Sequence, residues 1–441
     1  LAAIGIQMRR WRIWETVSRH VCIRQKVIRH TPLDKLLDAF INILAGGQGL
    51  VETNKNVRAD PGLQCAFGRE GCAEQSTISE TVNASTEENV GQMRQAVTEV
   101  YQRLGQGCRH LYQSCLQLLD VDMSGMPAGR TGEGVEKGYF SGQRNRRGRQ
   151  LGRVVATLYN EVVVDRLYRG KRQMERSLQE LVTAAEGVLE LSETRRKRTI
   201  IRVDGGGGRD ADVNWLLNRG YHVVVKNKNW KRANKLAASV KEWYVDPKTG
   251  DREVGWVEEP HAYAKPTRQI AIRTPKKDGS WLYWVLVTTL SDEELFWLAR
   301  QPFRKEPTLT HVMFALLYAY DLRSGGVETS IKGSKQGLGL TKRNKKRFFA
   351  QEMLVLLAQL AYNLVVWVRN LLAKQSPKLK GFGLMRMIRD IFQIDGDVCW
   401  DAQGRILAII SNKHDPFTER FIAGLAPVWP LKEMYPYLGQ I

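Results

Sequence analysis

The stretch "TIIRVDGGGGRD", residues 199–210, decides how the chain is read. A β-branched run ends on Asp204, four glycines follow, and Asp210 and Asp212 come next. Three readings compete: a phosphate-cradling loop, a plain surface turn, and a strand end that delivers Asp204 to an open site. A P-loop closes on Lys and then Ser/Thr, and a dinucleotide fingerprint spaces its glycines at the start of a helix. Here the glycines are consecutive and Arg209-Asp210 follows, which excludes the first reading. The flanking sequence must separate the other two.

Upstream, "QLLDVDMSG" (117–125) has a short strand's pattern, with Asp120 and Asp122 on one face because strand side chains alternate. "QLGRVVATLYN" and "EVVVDRLYRG" are β-rich and meet at Asn160-Glu161 as in a hairpin. Residues 174–191 have helical periodicity, and "TIIRVD" is a further strand. "DADVNWLLNRG" predicts a helix with acids at its start and Gly220 at its end, and "YHVVVKNK" the next strand. This order gives an α/β sheet with three antiparallel strands leading into a parallel part. Asp122 and Asp204 then fall at strand C-terminal ends, where open α/β sheets gather their ligands.

The 441 residues suffice for two or three domains. With 67 Lys+Arg against 46 Asp+Glu the net charge is +21, which suits a protein that handles a polyanion. No long amphipathic basic helix points to a membrane surface. The apolar run Met353–Val368 is shorter than a bilayer requires and carries Gln359 and Asn363, so a buried core helix is expected. Six cysteines without a C-x-x-C, and without His at zinc-finger spacing, are expected to be reduced thiols in a reducing compartment. The chain starts on Leu1, as in a trimmed reading frame, and "LAAIGI" is too short for a signal segment.

Residues 1–115 are expected to be helical. Thr31-Pro32, Ser76 and Ser85-Thr86 are predicted helix starts, and Ser76–Val82 is weighed as a DNA-reading helix against an ordinary capped helix, the safer assumption. Residues 230–295 are β-rich and aromatic, with turns at Pro247–Asp251 and Lys276–Gly279, and form a predicted insertion. Helices return after it, and the tail holds a strand and a short helix. Further on, Glu328, Lys332 and Lys335 share one helix face, a pattern that by itself is usually solvated.

Three blocks, "LLDVDMSGMPAG…EKGYF…GRQLGRVVATLYNEVV", "IIRVDGGGGRDADVNWLLNRGYHVVVKNK" and "YDLRSGGVETSIKGSKQGLGL", resemble the acidic blocks of bacterial insertion-sequence transposases of the cut-and-paste DDE group. The resemblance spans roughly residues 60–375. Tyr320, Arg323, Glu328 and Lys335 match that family's Tyr-Arg-Glu-Lys signature by type. Four residues separate Arg323 from Glu328, where better-studied members have three, which leaves the role of Arg323 open. Asp120 remains a rival to Asp122 as the first acid.

The resemblance implies an RNase H-like mixed sheet flanked by helices, with a β-rich insertion and a helical N-terminal domain. Its parts would be residues 1–115, 116–229, 230–295, 296–375 and 376–441. It implies a cytoplasmic bacterial enzyme that cuts and rejoins DNA, with Asp122, Asp204 and Glu328 as catalytic residues and ligands of two Mg²⁺ or Mn²⁺ ions. Such ions activate an attacking oxygen and stabilise a leaving oxygen. DNA contacts are assigned to Tyr320, Arg323, Lys332 and Lys335, and to Trp281 and Trp284 stacking on a flipped base. A homodimer on DNA is expected, with terminal inverted repeats and target DNA as partners and neither a membrane nor a small-molecule substrate.

Three basic runs are expected to grip phosphates near the acids: Arg144/Arg146/Arg147/Arg149, Arg195/Arg196/Lys197/Arg198 and Lys342/Arg343/Lys345/Lys346/Arg347. Two alternatives stand beside the transposase: a decayed relative that binds DNA without cutting it, and a nuclease of the same fold without joining activity.

Overall fold

In the computed structural model the described residues are 1–138, 140, 145–227, 229–428 and the backbone of 437–440. Ten strands form one sheet: β1 (Gln117–Pro127), β2 (Glu136–Lys137), β3 (Arg147–Ala156), β4 (Glu161–Arg169), β5 (Thr199–Val203), β6 (His222–Lys226), β7 (Tyr244–Val245), β8 (Glu253–Trp256), β9 (Arg268–Pro275) and β10 (Trp281–Thr288). They run in the order β4-β3-β1-β5-β6-β10-β9-β8-β7, with β2 also paired to β3. The β1–β5 and β5–β6 pairs are parallel, and the others are antiparallel. The mixed sheet flanked by helices expected from the sequence is therefore present. The insertion is less separate than its sequence suggests: β10 pairs directly with β6, so β7–β10 extend the main sheet.

Alternation along the strands sorts side chains between two faces. Leu118, Ile200, Val224 and Leu286 pack against the helices Asp292–Leu298 and Leu309–Asp321. Asp120, Asp122, Arg202 and Asp204 have the same parity as these residues and lie on that face. The opposite face is covered by the helices Leu178–Leu189, Asp210–Asn218 and Trp230–Ala238.

The long helix Phe348–Leu372 is buried along most of its length, as expected for a core helix. Two of its polar residues, Gln359 and Asn363, have a specific task. β4 pairs only with β3, which leaves one row of backbone groups unpaired. Asn363 accepts from the Val162 N–H at 2.9 Å and donates to the Val162 carbonyl at 2.8 Å, while Gln359 donates to the Val163 carbonyl at 3.1 Å. The N-terminal helices join the same hydrophobic cluster as this helix and the sheet.

Thr31 and Thr86 cap the helices Pro32–Leu44 and Glu87–Leu104 with reciprocal capping boxes, as predicted. The start predicted at Ser76 is displaced: that helix runs Gln75–Asn83 with Glu74 as an N-cap that makes no side-chain bond. It carries no Lys or Arg, its exposed residues include Glu74 and Glu80, and Ser79 accepts from Lys345 Nζ at 2.5 Å. Such a surface does not suit phosphate contact, and the ordinary-helix assumption fits it better. Beyond the main sheet, β11 (Gly396–Trp400), β12 (Ile406–Ser411) and β13 (Tyr437–Gln440) form a small sheet, of which the sequence pattern predicted only the middle strand.

Candidate active site

The glycine stretch forms one tight turn. Gly205–Gly207 is a 3-10 turn capped by Asp204, whose Oδ1 accepts from the Gly206 N–H at 2.9 Å. None of these glycines has positive φ, so left-handed backbone is not the reason for them. Close approach is: a Cβ on Gly207 would stand 2.7 Å from the Val203 side chain, and one on Gly206 3.1 Å from Met174. Gly205 and Gly206 form part of the wall of a cavity of about 500 Å³ that also contains Asp122, Asp204, Lys226, Trp230 and Trp284.

β1 and β5 lie side by side in parallel, with Val121 opposite Val203. Their next residues, Asp122 and Asp204, therefore lie side by side where β5 ends; Asp204 is at a strand end as expected, but Asp122 is in mid-strand, because β1 continues to Pro127 along β3. The third acid arrives from the helical layer on the acids' own side of the sheet through Arg323, which donates to Asp122 Oδ1 at 2.9 Å and to Glu328 Oε1 at 2.8 Å. A π-helical turn over Ser324–Glu328 lies between Arg323 and the helix Thr329–Gln336. Glu328 stays on Arg323 across this turn. The chain kinks at Gly326, where a Cβ would stand 2.5 Å from Asp120 Oδ2.

Asp120 has a different environment from Asp122. It is fully buried, and Arg202 on β5 grips both its oxygens, at 2.6 and 2.8 Å. Thr157 donates to it at 2.7 Å, and Arg202 also donates to the Ala319 carbonyl. Its oxygens are thus engaged in a closed ion pair beneath Gly326. Asp122 lies at the cavity with its side chain 14% exposed. Burial pushes the Asp122 carboxyl up to about 6 from 3.8; Arg323 opposes the rise, and Asp204 and Glu328 add to it. The native state therefore holds a proton that the unfolded chain loses between about pH 4 and 6, and stability falls as pH rises through that window. We expect metal-free thermal unfolding to show this loss, with an upper bound of roughly 3 kcal/mol. Asp122→Asn should flatten the profile and raise the melting temperature at neutral pH; an unchanged profile would contradict this electrostatic picture.

Lys335 Nζ donates to Ser124 Oγ and to the Gly125 carbonyl, both at 2.7 Å. Burial lowers its pKa to about 8, Arg153 adds to the lowering, and Asp122 opposes it. Arg153 holds the acid-bearing helix in place: fully buried and paired to Asp165 at 2.6 Å, it donates to Ser334 at 2.9 Å. Tyr320 and Trp284 have ring centroids 6.0 Å apart, and Lys226 Nζ stands 4.3 Å from the Trp284 centroid.

Several sequence-predicted residues are not brought to this cavity. Trp281 is three residues from Trp284 and so faces the other side of the sheet, where Arg273 covers it at 4.4 Å. Lys332 is exposed, and Glu328 pairs with Arg323 instead. The run Arg195–Arg198 precedes β5 whereas Asp204 follows it, which places the run at the opposite end of the sheet from the acids. Its side chains are used locally: Arg196 and Arg198 donate to the carbonyls of Arg219 and Tyr112, and Lys197 pairs with Glu193. Arg144 lies outside the described residues. Conversely, Trp230 and Lys226 border the cavity without having been singled out. The interleaving of Trp230 with cations in "NKNWKR" (227–232) was the available signal.

Among the described residues no group of three or more Asp, Glu, His or Cys side chains is assembled to enclose a metal ion. The donors nevertheless fit a hard divalent cation in kind. They are carboxylates from three elements, without soft ligands, and Arg323 already places positive charge between two of them.

No protein-family model matches the chain, and no curated protein matches it. Among solved structures it is similar to a piggyBac transposase synaptic complex with hairpin DNA, determined by cryo-EM. The TM-score is 0.46 at 11% identity, over 87% of this chain and 80% of that one. At this level of similarity the match assigns neither family nor activity to the chain.

Proposed function

We propose that this chain is a DNA transposase of the insertion-sequence DDE type, with an RNase H-like core formed by β4-β3-β1-β5-β6. The observation that carries the proposal is Arg323 bonded to both Asp122 and Glu328, at a cavity where Asp122 stands with Asp204, Lys226 and Trp284. The three carboxylates would hold Mg²⁺ or Mn²⁺, which supplies positive charge to the attacking and leaving oxygens of a phosphodiester. Arg323 holds Asp122 and Glu328 in register before any cation binds. Lys335 and Lys226 offer cationic contacts for phosphates, and Trp284, with Tyr320 behind it, offers a face on which a displaced base can stack. Two DNA ends must be joined in such a reaction, so a dimer on DNA belongs to the proposal.

The test is a cleavage and strand-transfer assay with Mg²⁺ or Mn²⁺ on the DNA ends that flank the gene. Cutting followed by joining is the expected result. Cutting without joining would leave a nuclease, and binding without cutting a DNA-binding relative; either outcome overturns the proposal.

A further inference from the structure

The acid-lined cavity continues past Ser124 and Gly125 toward Lys335. Ser124 and Gly125 belong both to it and to a second cavity of about 460 Å³ lined by Arg146, Lys335 and Lys342. That cavity shares Pro127, Arg146 and Asn344 with a third opening, which adds Arg130 and Arg147. The result is one trough leading away from the acids, lined by five cations and, among the described residues, by no Asp or Glu.

The trough is anchored from beneath by cations of the same two basic runs. Arg149 is buried and donates to the carbonyls of Glu133, Lys345 and Lys346 at 2.7, 3.0 and 2.8 Å. Arg343 is buried on the Gly47 carbonyl, and Lys345 donates to Ser79. These side chains fix the segment 342–347 against β3 and the N-terminal helices. Lys342, on the same segment, remains exposed at the trough. The two runs thus divide into cations that build the wall and cations that face outward. The two ends of the whole groove differ in chemistry as well, with Trp230 and Trp284 at one end and five cations at the other.

Building on the transposase reading, we propose that this trough is a backbone track for DNA: it holds the phosphates of the strand that runs from the acids past Lys335, away from the aromatic end. The track contributes salt-dependent affinity through Arg146 and Lys342, with Arg130 at its far end. The aromatic end contributes stacking, which depends little on salt.

The experiment measures binding of the full chain to a duplex oligonucleotide by fluorescence anisotropy, in EDTA, between about 50 and 200 mM salt. Each lost phosphate contact should lower the slope of log K against log salt by about 0.9, so Arg146→Gln/Lys342→Gln should lower it by about 2. On the same duplex with an unpaired single-stranded end, Trp284→Leu should weaken binding at least about fivefold with the slope unchanged. Melting curves confirm folding, and Arg130→Gln, at an exposed position, repeats the slope test away from the packed segment. A wild-type slope in both charge variants removes the track and leaves the proposed function standing. Failure of the wild-type chain to bind duplex DNA removes both.

Discussion

Asp204→Asn is expected to lower the rate of DNA cleavage by at least about 10³-fold while leaving DNA binding intact. The size follows from the proposed role of Asp204 as a ligand of the cations that activate the attacking oxygen and stabilise the leaving one. The selectivity follows from the geometry. Asn keeps an oxygen that can accept the Gly206 N–H, so the turn persists. Only the negative charge disappears, and Asp204 faces Lys226, whose positive form it favours. Its removal makes the cavity more positive, and affinity for a polyanion should hold or rise. Single-turnover cleavage of labelled DNA, measured beside binding, checks both halves. Cleavage retained within tenfold would remove Asp204 from the chemistry and the proposed function with it.

Arg202→Met should cost about 3–5 kcal/mol of folding stability, because it strands the Asp120 carboxylate with no compensating charge. The double variant Asp120→Leu/Arg202→Met should recover most of that loss, since a buried ion pair replaced by apolar groups of similar size is often neutral. Urea unfolding of the wild type, both single variants and the double variant measures the coupling. A loss below about 1 kcal/mol for Arg202→Met would mean that water or another cation reaches Asp120. The same series separates the neighbouring acids. Asp120 variants should fail in stability, and Asp122→Asn should fail in cleavage while folding at least as well as the wild type.

The choice between those acids shows where sequence reading stops. Both have the same strand parity, so alternation leaves them equivalent. They are separated by the register that sets Asp120 opposite Arg202, a pairing across 82 residues that no local pattern carries. The order of strands and the strand-end placement of Asp204 were legible, because the apolar runs and turns between residues 117 and 226 are well marked, whereas Asp122 lies in the middle of β1, which continues to Pro127 along β3. The spacing of Arg323 and Glu328 was visible as a count, but the kink at Gly326 between them depends on close packing against Asp120 and Thr157. Two other features needed only stricter use of the sequence. An odd spacing already places Trp281 and Trp284 on opposite faces, and a run that precedes a strand cannot flank an acid that follows it. The pairing of β10 with β6 was not legible, since nothing in either strand names its partner.

That pairing has a mechanical consequence. Trp284 stands on a strand that is hydrogen-bonded into the same sheet as β6, and Tyr320 supports it from the helix behind. A wall built this way cannot swing over a bound molecule like a hinged lid; it is a fixed ledge beside the acids. On the proposed function, a nucleic acid in the groove would have to bend, unstack or unpair to meet the ledge, and the work of deformation would fall on it.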